Sequence, residues 1–286
     1  YTFNLRDVSK VFQGCLMIQN KQATTAKAFA RGWVHETLRV FCDRLINKSD
    51  RDHFTHLVAE FASRSFSFGW KHEDLFETEL PLLWCNFLRP PIDDITIYEE
   101  VKDIEAARKV LLETLDDYNM EFPTKMKLVF FEDAIKHVCR IARILRQPRG
   151  NGMLCGVGGS GRQSLTRISC FLSDTKTVQI ALTRGYGLAD FRETIKEMMI
   201  TAGCDGEPVA FILVDTQIIM ESFLEDINNV LNTGEIPSLF ENDEVNKIVE
   251  TLRPITNKMG IVGTRDNIWQ AFVARIRDNL HIILCM

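Results

Sequence analysis

The residues best suited to chemistry lie in one run, Gly156-Val157-Gly158-Gly159-Ser160-Gly161-Arg162-Gln163-Ser164. It follows a short apolar stretch at 153–157 and opens a segment of helical period at 162–172. Glycines accept the positive φ that turns successive backbone N–H groups toward one centre. The helix that follows adds the positive end of its dipole. A strand-to-helix bend of this kind can hold a diphosphate through its main chain alone. Measured against the form G-x-x-x-x-G-K-[ST], Gly156 and Gly161 keep the spacing. Arg162 stands at the lysine position and keeps the charge on a larger, planar fork. Gln163 stands at the hydroxyl position and offers no hydroxyl to magnesium, while Ser164 lies ~100° further round the helix. The expectation is a loop that binds nucleotide and holds magnesium weakly. A glycine-rich turn with no ligand is the competing reading.

A second run supplies the partner such a loop needs. Val209-Ala-Phe-Ile-Leu-Val214 is an apolar strand ending in Asp215, roughly fifty residues downstream. A carboxylate at the C-terminal edge of such a strand supports a magnesium shell. The next position, where a hydrolysing site usually carries glutamate, is Thr216. Threonine cannot act as general base near pH 7. Glu221 and Glu225 follow, but on a predicted helix and out of place. An aspartate that merely caps the next segment is the alternative.

These residues need elements to position them. From 153 to the end, apolar strand-length runs (153–157, 178–182, 209–214, 280–286) alternate with helical patterns (162–172, 188–202, 221–231, 267–277), and 235–260 is mixed and polar. That alternation predicts a parallel α/β sheet with crossover helices. The first 70 residues read as helical, with apolar periodicity at Val8, Val11, Phe12, Cys15 and Leu16, again over 28–46, and over 50–61 with Ser49 or Asp50 as cap. An irregular stretch at 63–94, with three prolines, links this to two long helices at 97–118 and 126–146. The predicted architecture is a helical unit over 1–95 and an α/β unit over 96–286.

Composition narrows the class. The chain has 286 residues, 45% apolar and 26% charged, with a net charge of −5. This suits a globular fold with a sizeable core and argues against a phosphate-neutralising nucleic-acid binder. Lys136, Arg140, Arg143 and Arg146 form a basic stripe without interleaved aromatics, read as a solvated or inter-module face. No apolar run approaches the ~20 residues of a membrane span. The eight cysteines show no CxxC pair and no zinc-ligand spacing; they read as small apolar residues of a reducing, cytoplasmic compartment. The strand-like last residues suggest a piece of a longer polypeptide.

With these residues in view, the sequence resembles the dynein heavy chains, specifically the axonemal (ciliary) kind. The loop with its upstream helix at 131–148, the segments 215–218 and 221–228 and the 269–286 run resemble the fourth AAA+ module of that family. Residues 1–14, Trp33-Val-His-Glu36 and 39–45 resemble the small helical subdomain of the third module. The resemblance implies a P-loop AAA+ large subdomain preceded by an all-α small subdomain. It implies Arg6 as a sensor-II arginine serving the third module's nucleotide, and a sensor-I side chain just after Met286. It implies ATP or ADP as ligand, with Asp215 as a weak magnesium ligand. Implied partners are the other AAA+ modules of the same chain and, through the parent motor, dynein intermediate and light chains and microtubules. The implied location is the axoneme of a cilium or flagellum. Three readings stay open: a module that binds nucleotide and hydrolyses it poorly, an active ATPase, and a nucleotide-free spacer.

Overall fold

The computed structural model describes residues 1–18, 25–78, 80–91 and 96–286. Positions 79 and 92–94 of the expected linker lie outside the described residues. The chain forms two compact units, Tyr1–Arg143 and Ile144–Met286.

The first unit begins with α1 (Leu5–Cys15), whose Asn4 cap accepts from Arg6 N at 2.9 Å while Asp7 reaches back to Asn4 N at 3.0 Å. These reciprocal bonds satisfy orphan donors of the first turn. Then come α2 (Ala26–Val40), capped by Thr25, α3 (Lys48–Phe66) and α4 (His72–Phe76). Ala30, Val34 and Leu38 of α2 meet Val58, Ala62, Trp70 and Leu75 in a common core. The cap expected at Ser49 or Asp50 is absent: α3 starts at Lys48 after Asn47, without a side-chain cap bond. The unit is also not purely helical. A short antiparallel pair joins β1 (Trp84–Cys85) to β2 (Glu99–Glu100), which delays the next helix, α5 (Ile104–Glu121), until Asp103 can cap it. The helix expected from 126 starts at 132, as α6 (Glu132–Arg146). α5 and most of α6 group with this unit, so compactness divides the chain at a different place from the module boundary expected at 95/96.

Of the two readings of the basic stripe on α6, the solvated one fails at Arg143, and Lys136, Arg140 and Arg143 all make ion pairs. Arg143 is buried and donates to Glu36 at 2.9 Å (Nε) and 2.5 Å (Nη2), and Tyr98 donates its hydroxyl to the same carboxylate at 2.6 Å. Arg140 faces Asp43 at 3.4 Å and Lys136 faces Glu132 at 2.6 Å.

The second unit holds a four-stranded parallel sheet in the order β3 (Gly152–Leu154), β6 (Leu280–Cys285), β5 (Val209–Val214), β4 (Lys176–Val178). β5 pairs along its whole length with β6, from Val209↔Leu280 to Val214↔Cys285. Every residue of β5 is buried, which explains its unbroken apolar run: a parallel strand covered on both faces needs no alternation. The connecting helices are α7 (Arg162–Leu172), α8 (Leu188–Ile200), α9 (Glu221–Asn232), α10 (Asn242–Lys258) and α11 (Arg265–Asn279). Phe191 of α8 stacks on Phe223 of α9 with centroids 4.0 Å apart, and Phe211 and Phe272 complete the aromatic core.

Two details differ from the periodicity. The strand expected at 178–182 lies at 176–178, because pairing with β5 fixes its register at Lys176↔Val209. The polar stretch at 235–260 contains α10, which continues through Pro254. Its stripe of Ile248, Val249, Leu252 and Thr256 is buried, and burial of that face outweighs the proline's lost backbone bond.

Candidate functional site

All four strands run parallel, so the ends of β3 and β5 open on the same edge of the sheet, with β6 between them. That edge is where ligands bind in open α/β sheets. The phosphate-loop motif leaves the end of β3 and enters α7; the end of β5 delivers Asp215.

The loop itself is exposed from Cys155 to Ser160. Gly159 (φ 80) and Gly161 (φ 81) both take the left-handed conformation that a side chain resists. A Cβ added at Gly158, Gly159 or Gly161 would meet no heavy atom within 4 Å, so the loop presents open main chain there. Gly161 is also the N-cap of α7 and makes no side-chain cap bond. The first-turn N–H groups of α7 therefore lack a side-chain acceptor, which is the arrangement that receives an anion. Gly156 N donates to Met286 O at 3.1 Å, and Met286 N donates to Leu154 O at 2.9 Å, tying the loop to the end of β6.

Arg162 donates through Nη2 to Val157 O at 3.1 Å and through Nη1 to Met286 O. Its guanidinium thus lies within the loop. Gln163 accepts from Gln179 Nε2 at 3.1 Å, and Gln179 in turn accepts from Arg167 Nη2. Thr166 turns its hydroxyl back to Arg162 O at 2.8 Å. Ser164 is half-buried in the first turn.

At the other strand end, Asp215 and Thr216 are both exposed in a short 3-10 turn, and Asp215 accepts from Thr216 N at 2.8 Å. Gln217 accepts from Val214 N at 3.0 Å and donates to Ile180 O at 2.6 Å. Glu221 and Glu225 are exposed on α9. The donor set departs from that of a standard magnesium site. Such a site pairs a loop hydroxyl with a strand-end carboxylate, whereas Gln163 carries no hydroxyl and its amide oxygen is already an acceptor. Among the described residues, no group of three His, Cys, Asp or Glu side chains could hold a metal.

Arg6 is exposed on the first turn of α1, in the other unit. Cys155 is the exposed thiol at the loop; Cys170 and Cys204 are buried, and burial pushes their thiols up to about 12 and about 11. Gln179, Gln217 and Arg167 carry no motif signal, since their role rests on contacts between separate elements. A search for polar side chains just past the strand ends would have found the two glutamines.

Residues 126–286, more than half the chain, match the family described as the P-loop containing dynein motor region D4. The chain belongs to the dynein heavy-chain family. Residues 1–73 match the AAA+ lid domain. The chain is 43% identical over its whole length to dynein axonemal heavy chain 6 of Homo sapiens and 42% identical to dynein axonemal heavy chain 1 of Mus musculus. It is 39% identical to the dynein-1-beta heavy chain of the flagellar inner arm I1 complex of Chlamydomonas reinhardtii. It spans only 6–7% of the length of these dyneins. The parallel sheet fits the D4 match, and the helices described within residues 1–73 fit the lid match. Among the described residues, no helix is long and apolar enough to cross a membrane.

Proposed function

We propose that this dynein segment carries the end of a third AAA+ module (1–95) and the large subdomain of a fourth (96–286) within the ring of an axonemal, minus-end-directed microtubule motor. In that reading the loop at 156–164 binds ATP or ADP mainly through its main chain and hydrolyses it little. Bound nucleotide then stabilises the ring or regulates its closure. Arg6 serves the nucleotide of the preceding module. The other AAA+ modules of the same chain are its immediate neighbours, and intermediate chains, light chains and microtubules are reached through the parent motor of a ciliary axoneme.

The observation that supports a non-hydrolysing site is the state of its side chains. Arg162 is held on loop carbonyls, Gln163 replaces the metal hydroxyl, and the position after Asp215 is a threonine. What remains intact is the backbone, with left-handed glycines and first-turn amides that no cap side chain engages. Binding therefore survives where catalysis does not. A missing general base alone costs about 10²–10⁴-fold in rate. Steady-state phosphate release from the chain should fall at least that far below an intact dynein ATPase module. Turnover at the rate of an intact module, lost in Glu221→Gln or Glu225→Gln, would instead establish an active ATPase.

A further inference from the structure

The side chain at the metal-hydroxyl position is not idle, and its orientation follows from its neighbours. Arg167 sits one turn after Gln163 on α7 and can only donate hydrogen bonds. Its Nη2 donates to Gln179 Oε1. Gln179 must therefore offer its NH₂ to Gln163, at 3.1 Å, and Gln163 must accept through its carbonyl oxygen. That leaves the NH₂ of Gln163 as its unspent group. The carbonyl oxygen of Gln163 is thus engaged by a donor, and the group left over on that side chain is itself a hydrogen-bond donor. The segment that carries Gln179 is itself pinned from the other side: Gln217, two residues after Asp215, donates to Ile180 O at 2.6 Å and accepts from Val214 N at 3.0 Å. In sites with a loop hydroxyl and a strand-end carboxylate, a shared magnesium ion ties the loop helix to that strand end. Here a strap of two glutamines and the 179–180 backbone ties the same two elements.

We infer that Gln163, oriented by Gln179 and Arg167, donates to the nucleotide's phosphates in place of magnesium, so that diphosphate binding at this loop is independent of a divalent cation. This rests on the nucleotide-binding reading of the loop. Gln163 is the phosphate-contacting group; Gln179, Arg167 and Gln217 are positioning residues. The ligand class is a nucleoside diphosphate carried without its metal, which sets this loop apart from one that takes the magnesium complex.

The test is a calorimetric titration of ADP into the 286-residue chain, once with magnesium in excess over nucleotide and once with excess EDTA. The wild type should give the same Kd in both, within about twofold. Gln179→Met keeps the bulk of the side chain but removes both its bonds, and should weaken binding about fivefold to tenfold in both media. Gln163→Thr restores the hydroxyl and should bind at least tenfold more tightly with magnesium than with EDTA. This ratio is a readout that a merely structural role for the strap would not move, and it does not depend on how well the Gln179 variant folds. A wild-type affinity that drops tenfold or more in EDTA overturns the inference and leaves the nucleotide-binding reading standing. So does a well-folded Gln179→Met chain with unchanged affinity. No ADP uptake by the wild type in either medium removes both together.

Discussion

The first unit places its Glu36–Arg143–Tyr98 cluster in the interior, while the second places Arg162 and Asp215 at an open sheet edge. Glu36 is fully buried, and its carboxylate takes two bonds from the Arg143 guanidinium and one from the Tyr98 hydroxyl. Among the described residues, Arg162 and Asp215 bond to main chain: the former to Val157 O in the loop and to Met286 O after β6, the latter to the next amide. In the first place opposite charges satisfy one another and hold a fold. In the second, charges of both signs are held by backbone and stay available to a ligand.

The comparison breaks most visibly at Glu36. Glu36→Ala leaves Arg143 buried without its carboxylate, and removing one partner of a buried pair costs about 3–5 kcal/mol. Gly14 adds a geometric constraint, because a Cβ there would fall 1.8 Å from Glu36 Oε2. Chemical denaturation of the Glu36→Ala chain should show this loss of stability in the first unit; a change below 1 kcal/mol (about the median worth of an exposed pair) would mean the cluster is not the anchor described.

Acid probes both units at once. Burial depresses the His35 imidazole well below its ordinary value of 6.5, with Arg39 and Arg143 acting in the same direction. Burial likewise depresses His281, whose Nδ1 lies 2.7 Å from Gly150 O. Both rings resist protonation in the folded chain, and both take up protons near pH 6.5 when it unfolds. The unfolded state therefore binds more protons below 6.5. The stability these rings contribute is complete above that pH and declines as pH falls through 6.5 toward the depressed folded values. The decline is roughly 1.4 kcal/mol per histidine for each pH unit between the two values. Unfolding free energies at pH 7.5 and pH 5.5 should differ in that direction. Equal stability at the two values would show that these rings are free to protonate in place.

The smallest stability effect belongs to Arg162→Ala. Its bonds go to the carbonyls of exposed Val157 and half-buried Met286, so unfolding should change by no more than about 1 kcal/mol. ADP affinity should nonetheless fall about tenfold, the worth of a charge-assisted bond. Loss of stability without loss of affinity would assign Arg162 to the same structural class as Arg143.

Much of this was legible in the sequence, for different physical reasons in different places. The loop, the buried strand 209–214 and Asp215 stand out because glycine spacing and an unbroken apolar run are local signals. The helices of 1–70 also show in their periodicity, although their caps do not. The stripe of Arg143 leaves a solvated and an inter-module reading open, because its partner, Glu36, lies 107 residues away and nothing local reports the pairing. The helix over 242–258 was hidden by Pro254 and by polar residues on its outer face. Gln179 and Gln217 escaped for the same reason as Arg143: a side-chain bond between elements leaves no trace in spacing.

The central claim is that backbone amides at this bend grip a polyphosphate after the cleaving side chains have been replaced. Thermal unfolding of the chain with and without ADP measures it most directly. At ~100-fold excess over Kd, a ligand of the folded state adds ~2.7 kcal/mol, so the melting midpoint should rise clearly with ADP and with ATP. A cooperative melt whose midpoint stays fixed as either nucleotide is raised to millimolar levels would contradict the account.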